Sequence, residues 1–114
     1  MKVAVFLWFN SPKIENENKP HFIEWNYPVL PRMGEYVCNQ SRFLSENMKE
    51  SFKKIMLSDF FYDSNVLGTP RIDEETLYEF YSDQNGDRWM VESVEWLYNN
   101  EIGDYPLITI VEQV

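Results

Sequence analysis

One cysteine, one histidine and four glycines are all that this chain of 114 residues offers to the commonest site chemistries. A single thiol, Cys38, cannot close an internal disulfide or build a thiolate zinc site. A small buried side chain in a reducing compartment is the expectation for it. The lone imidazole, His21, stands between Pro20 and Phe22, with no nucleophile and orienting group in view. No serine sits in a Gly-x-Ser-x-Gly elbow. The glycines, at 34, 68, 86 and 103, are too scattered for a phosphate-cradling loop. No apolar run approaches the ~18 residues of a membrane-crossing helix. Val3 to Phe9, after Lys2, superficially resembles a secretory leader. It is short for one and lacks an Ala-x-Ala-like cleavage site, so it reads as a first strand.

Positive charge is scarce too. Nineteen acids face ten bases, for a formal charge of −9. Residues 1–62 are close to balance, whereas residues 63–114 carry twelve acids and only Arg71 and Arg88. Such a field repels phosphate backbones, which are bound through many Lys and Arg contacts, and it repels anionic membrane surfaces as well. A basic protein partner would be attracted and steered. The chain is long enough for one domain, residues 1–114, that buries roughly two-thirds of its surface. A core is therefore expected without disulfides or structural metal.

What the chain has in plenty is aromatic rings, 17% of all residues. The alternation of Val3, Val5, Leu7 and Phe9 with Ala4, Phe6 and Trp8 predicts a strand with two apolar faces. Residues 11–20 read as a mobile loop, and His21 to Tyr27 as a second strand. Pro28 and Pro31 hold the chain extended before Gly34 turns it into a short strand, Glu35 to Asn39. Met48, Phe52, Ile55, Met56 and Phe60 recur at helical spacing. They predict one helix at about 47–61, capped by Asn47 with Glu50 three residues on. Thr76 to Ser82 alternates and reads as a strand, with a helical turn capped by Asp73 as its rival. Asn85-Gly86 is the dipeptide of a type I′ hairpin turn. In the strand that follows, Trp89 and Val91 share one face, and Val94, Trp96 and Tyr98 share the other. One extra residue at Glu92-Ser93 would put all five on the same face, which predicts a bulge there. Leu107 to Val114 is the closing strand. The sum is a mainly β, α+β fold: a small bent antiparallel sheet or barrel with one inserted helix.

Pro31-Arg32-Met33-Gly34-Glu35-Tyr36-Val37, followed by Trp89-Met90-Val91-Glu92-Ser93-Val94-Glu95-Trp96, resembles a pattern in small uncharacterised bacterial proteins. There a P-x-x-G-[DE]-x-V turn precedes a bent Y/W-x-V-x-x-V-x-W strand, a cadence shared with small SH3-like barrels. The resemblance covers about a fifth of the chain. It implies a fold and no activity, and some fifty residues stand between its two halves.

Three constellations invite chemistry. Asp83, Asn85, Gly86 and Asp87 can be set on an EF-hand loop with Glu92 at its last position, but Tyr81 then takes the first, where a carboxylate belongs. A hairpin turn is the better reading, and no metal or cofactor is expected. Asp73, Glu75, Asp83, Asp87 and Glu92 would have to line one pocket to serve a carboxylate-based hydrolase. Trp8, Trp25, Trp89 and Trp96 divide between core and contact, and two exposed coplanar indoles would suit a sugar. The leading expectation is a non-enzymatic, cytoplasmic protein-interaction module with contacts at Trp96, Tyr98, Tyr105, Glu95, Glu101 and Asp104. Its partner is a protein, basic by charge, with neither nucleic acid nor membrane involved. The second expectation is an acidic immunity or inhibitor protein directed against a basic toxin or nuclease.

Overall fold

The computed structural model describes residues 1–11, 13–37, 40–60, 75–82 and 89–113. The chain divides into two compact units. Met1–Cys38 and Asn85–Val114 form one, and Asn39–Gln84 form the other. The fold is mainly β, as the alternating segments at both ends of the sequence lead one to expect.

The first unit is a five-stranded sheet. Its strands are β1 (Lys2–Trp8), β2 (His21–Glu24), β3 (Tyr36–Val37), β4 (Trp89–Asn99) and β5 (Gly103–Glu112), in the order β2-β1-β5-β4-β3. Three pairs are antiparallel, but β1 and β5 run parallel, with Val5 beside Ile108 and Leu7 beside Ile110. The sheet is therefore mixed rather than wholly antiparallel. Parallel pairs join strands through long connections, and here the two partners are the first and last strands of the chain. No local turn signal could announce them.

β5 begins earlier than expected, at Gly103, and runs through Pro106. Proline is tolerated there because β1 joins the other side of β5 only from Leu107 onward. Gly103 at φ 78 admits the positive angle that returns the chain from β4 into β5. The bulge expected at Glu92-Ser93 is present. Val91 pairs with Ile110 and Ser93 with Thr109, so Glu92 is the extra residue.

The two halves of the Pro31–Val37 and Trp89–Trp96 pattern lie side by side. Gly34 donates its N–H to the Val91 carbonyl at 2.8 Å, Val91 donates to Glu35 at 2.8 Å, and Tyr36 pairs with Met90. Gly34 sits at φ 91, and the Glu35 carboxylate accepts from the Arg32 N–H to tie the turn. The segment 11–20 is not the free loop its polarity suggests. Both backbone groups of Phe9 bond to the Asn16 amide, at 2.6 and 3.0 Å, and Ile14 is buried.

One face of the sheet is sealed. Val3, Val5, Leu7, Trp89, Val91, Ile108 and Ile110 are all buried on it, and the Phe9 ring meets Trp89 edge-on at 5.0 Å.

The described residues of the second unit form a 3₁₀ turn (Gln40–Phe43), then α1 (Glu46–Lys53), α2 (Leu57–Phe60) and α3 (Leu77–Ser82). The single helix expected over 47–61 is broken after Lys53. Around the break, Met56 bridges Thr76, Leu57 donates to the Glu75 carbonyl and Leu77 to the Ile55 carbonyl, both at 2.8 Å. Lateral pairing takes the backbone groups that a continuous helix would have used. The cap of α1 is Ser45 rather than Asn47; its hydroxyl accepts from the Met48 N–H at 3.2 Å.

Leu77–Ser82 is α3 and Thr76 bridges Met56 just before it, so the strand reading of Thr76 to Ser82 is overturned. Thr76 and Glu79 form a reciprocal capping box: the Glu79 N–H donates to Thr76 Oγ1 at 3.2 Å, and the Thr76 N–H donates to Glu79 Oε1 at 3.3 Å. Leu77 and Tyr81 are buried four apart on one helical face, and the Tyr81 ring lies 5.7 Å from Phe52. Met48 and Phe52 are buried as the helical spacing requires, while Ile55 and Met56 at the break are only half-buried. Leu57, off that stripe, is wholly buried.

Candidate functional site

The four tryptophans separate cleanly. Trp89 and Trp25 are inside, at 0% and 7% exposure, and Trp8 and Trp96 are outside, at 49% and 61%. Trp25 satisfies its indole by donating to the Val29 carbonyl at 2.9 Å, and its ring meets Tyr27 edge-on at 5.2 Å. The two exposed indoles stand on opposite faces of the sheet. Trp8 pairs with Val111 and Trp96 with Pro106, and those two lie five positions apart along β5, an odd offset that puts them on opposite faces. They cannot make the coplanar platform that a sugar would need.

Trp8 belongs to an open face with its own organisation. Strand register places Trp8 beside Val111, Val111 beside Met90 and Met90 beside Tyr36. This apolar row crosses four strands, roughly 14 Å at ordinary strand spacing. It ends on Trp8 and on Tyr36, which is 56% exposed. A second row runs Phe22, Ala4, Leu107, Glu95. Between them lies Phe6 beside Thr109. The rows hold together by ring contacts. Phe6 and Trp8 are nearly parallel, 12° apart with centroids at 6.3 Å, and Phe22 meets Tyr105 at 5.2 Å. Ala4 is buried beneath that last contact. Its small side chain lets rings from β2 and β5 close across β1. Four residues along the strands separate the first row from the second, roughly 13 Å.

The residues expected to make contact, Trp96, Tyr98, Tyr105, Glu95, Glu101 and Asp104, all lie toward the β4–β5 turn, but they do not form one surface. Trp96, Tyr98 and Asp104 share a face, with Tyr98 opposite Asp104. Glu95 and Tyr105 are on the other, and Tyr105 there belongs to the open face. Glu101 is in the turn, where its N–H donates to Asn99 Oδ1 at 2.7 Å. All but the half-buried Tyr105 are exposed. Phe6, Phe22, Tyr36 and Met90, which lie on the open face, are not among the residues expected to make contact. The signal for them was present in the two apolar faces of β1, but which face stays open depends on what covers the other.

The candidate chemical centres fare differently. Cys38, Asp73, Asp83, Asn85, Gly86 and Asp87 lie outside the described residues, and with them the hairpin turn and most of the calcium loop. Tyr81, at the first position of that loop, is buried in α3. Glu75 is buried, and Glu92 is exposed at the bulge. His21 pairs with Val5 in β2. Among the described residues no three His, Cys, Asp or Glu side chains gather to hold an ion, and no helix is long and apolar enough to cross a membrane.

Comparison with known proteins finds no matching family model, no matching curated protein and no matching solved structure.

Proposed function

We propose that this chain is a cytoplasmic, non-enzymatic protein-interaction module whose principal contact surface is the open face of its sheet. The observation that supports this reading is the row Trp8–Val111–Met90–Tyr36, apolar along its length and exposed at both ends. Large rings carried on paired strands lose little conformational freedom on binding, which is why aromatics concentrate at the energetic centres of interfaces. Hydrogen-bonded backbone on both sides of β1 and β5 holds the rings in register, so the surface exists before a partner arrives.

A second reading, the acidic inhibitor of a basic toxin or nuclease, is favoured by a separate observation. Residues 89–114 contain five acids and no lysine or arginine. Glu95, Glu101 and Asp104 are exposed in the same hairpin as Trp96 and Tyr98.

Capture experiments at low and high salt separate the two. Apolar contact on the open face predicts a partner retained at high salt and lost with Trp8→Ser or Tyr36→Ser. Contact through the acidic hairpin predicts a partner shed as salt rises and lost with Trp96→Ser. A partner indifferent to all three substitutions, or none at either salt concentration, would overturn the module reading.

A further inference from the structure

The edge of β4 is a second docking feature, which meets the rows of the open face at Glu95. β3 flanks only the beginning of β4, at Trp89 and Met90, with Gly34 and Glu35 bonding to Val91. β5 flanks the other side of β4 all the way to Asn99. Among the described residues, Ser93–Asn99 is therefore paired on one side only. Alternate residues along such a stretch turn both backbone groups outward, an unfilled ladder ready for another strand.

Edges of this kind are ordinarily blunted by lysine, by proline or by brevity. Ser93-Val94-Glu95-Trp96-Leu97-Tyr98-Asn99 contains neither residue and is continuous. Its bulge lies at Glu92, before the open stretch begins. The only charge along it is Glu95, and the whole of residues 89–114 carries five acids and no base. That charge discriminates among occupants. A second copy would bring another acidic hairpin against the first, as would an acidic segment. A basic segment would meet opposite charge at Glu95 and no cation anywhere in residues 89–114. The side chains on the edge agree. Trp96 and Tyr98 present exposed ring faces on one side of the strand, suited to Lys or Arg stems and cations, and Glu95 is exposed on the other.

We infer that Ser93–Asn99 receives an extended, basic segment of a partner protein as a sixth strand. The inference rests on the interaction-module reading and names the partner chemistry for one edge of the same sheet. Main-chain bonds supply the general attraction, and alternate side chains against Glu95 and against Trp96 and Tyr98 supply the selection.

The test uses the full chain, isotopically labelled, with a capped synthetic peptide of alternating lysine and valine as long as Ser93–Asn99. A glutamate–valine peptide of equal length is the control. The expected result is amide-exchange protection appearing at residues 93–99 with the lysine peptide alone. Glu95→Lys should weaken binding about fivefold, the change expected when a cross-strand charge pair turns from attraction to repulsion. Val29→Ser, at an exposed position outside both surfaces, should leave it unchanged. Perturbation at Phe6, Trp8 and Tyr36 in place of the edge would overturn the inference and leave the module reading standing. So would equal binding of both peptides, or of neither. Protection of residues 93–99 that grows with protein concentration, with a dimer in sedimentation, would overturn it in favour of a second copy.

Discussion

Trp89 and Trp96 stand on the same face of the same strand, and one is sealed while the other is mostly exposed. The strand around Trp89 has neighbours on both sides, β3 and β5, and the Phe9 ring closes against the indole edge. The strand around Trp96 has β5 alone, and the residue opposite is Pro106. Residue type, strand type and face are the same in both places. What differs is how many elements converge. The end of β4 near Trp89 is built as core, and the end near the turn is built as surface.

The comparison can be broken most severely at Glu92. Deleting it removes the extra residue that keeps Val91 and Val94 on one face, so one end of β4 must turn its apolar side outward. Urea titration should show a loss of more than about 4 kcal/mol, or no cooperative transition at all. A near-normal midpoint would mean that the bulge is not what joins the two ends. Trp89→Ala tests the buried end alone. It should cost about 3–5 kcal/mol, the range for emptying a large aromatic site. Phe52→Ala asks the same of the helical unit, where the ring packs near Tyr81, and should fall in the same range by thermal unfolding. Thr76→Ala removes one half of the α3 capping box and should cost about 1 kcal/mol. A loss below a few tenths would show that α3 is held by Leu77 and Tyr81 and not by its cap. Trp96→Ser should change stability by no more than about 0.5 kcal/mol. A large loss there would erase the distinction between the two ends of the strand.

Several features were legible in the residues themselves. The bulge followed from the clash of two alternations within Trp89–Tyr98, and β1 followed from its uninterrupted apolar run. Met48 and Phe52 followed from helical spacing. The failures have identifiable causes. Thr76–Ser82 alternates as a strand does, but Thr76 and Glu79 stand at capping-box spacing, and Leu77 and Tyr81 at helical spacing. Local capping and burial together outweighed the alternation. The break after Lys53 is caused by pairing with residues about twenty positions further on, which no helical pattern within residues 47–61 can report. The residues expected to make contact at the hairpin are exposed apart from the half-buried Tyr105. The larger apolar surface was overlooked because its members come from β1, β2, β3, β4 and β5 in turn.

The sequence by itself determined the mainly β character, the register break in β4 and the acidic, base-free closing hairpin, because each depends on residues adjacent or nearly adjacent in the chain. Tertiary structure alone decided that β1 lies parallel to β5, that Trp8 and Tyr36 end one row, and that Ser93–Asn99 lacks a second neighbour among the described residues. Those outcomes depend on which distant segments meet. A strand's alternation defines its two faces and says nothing about what, if anything, comes to cover them.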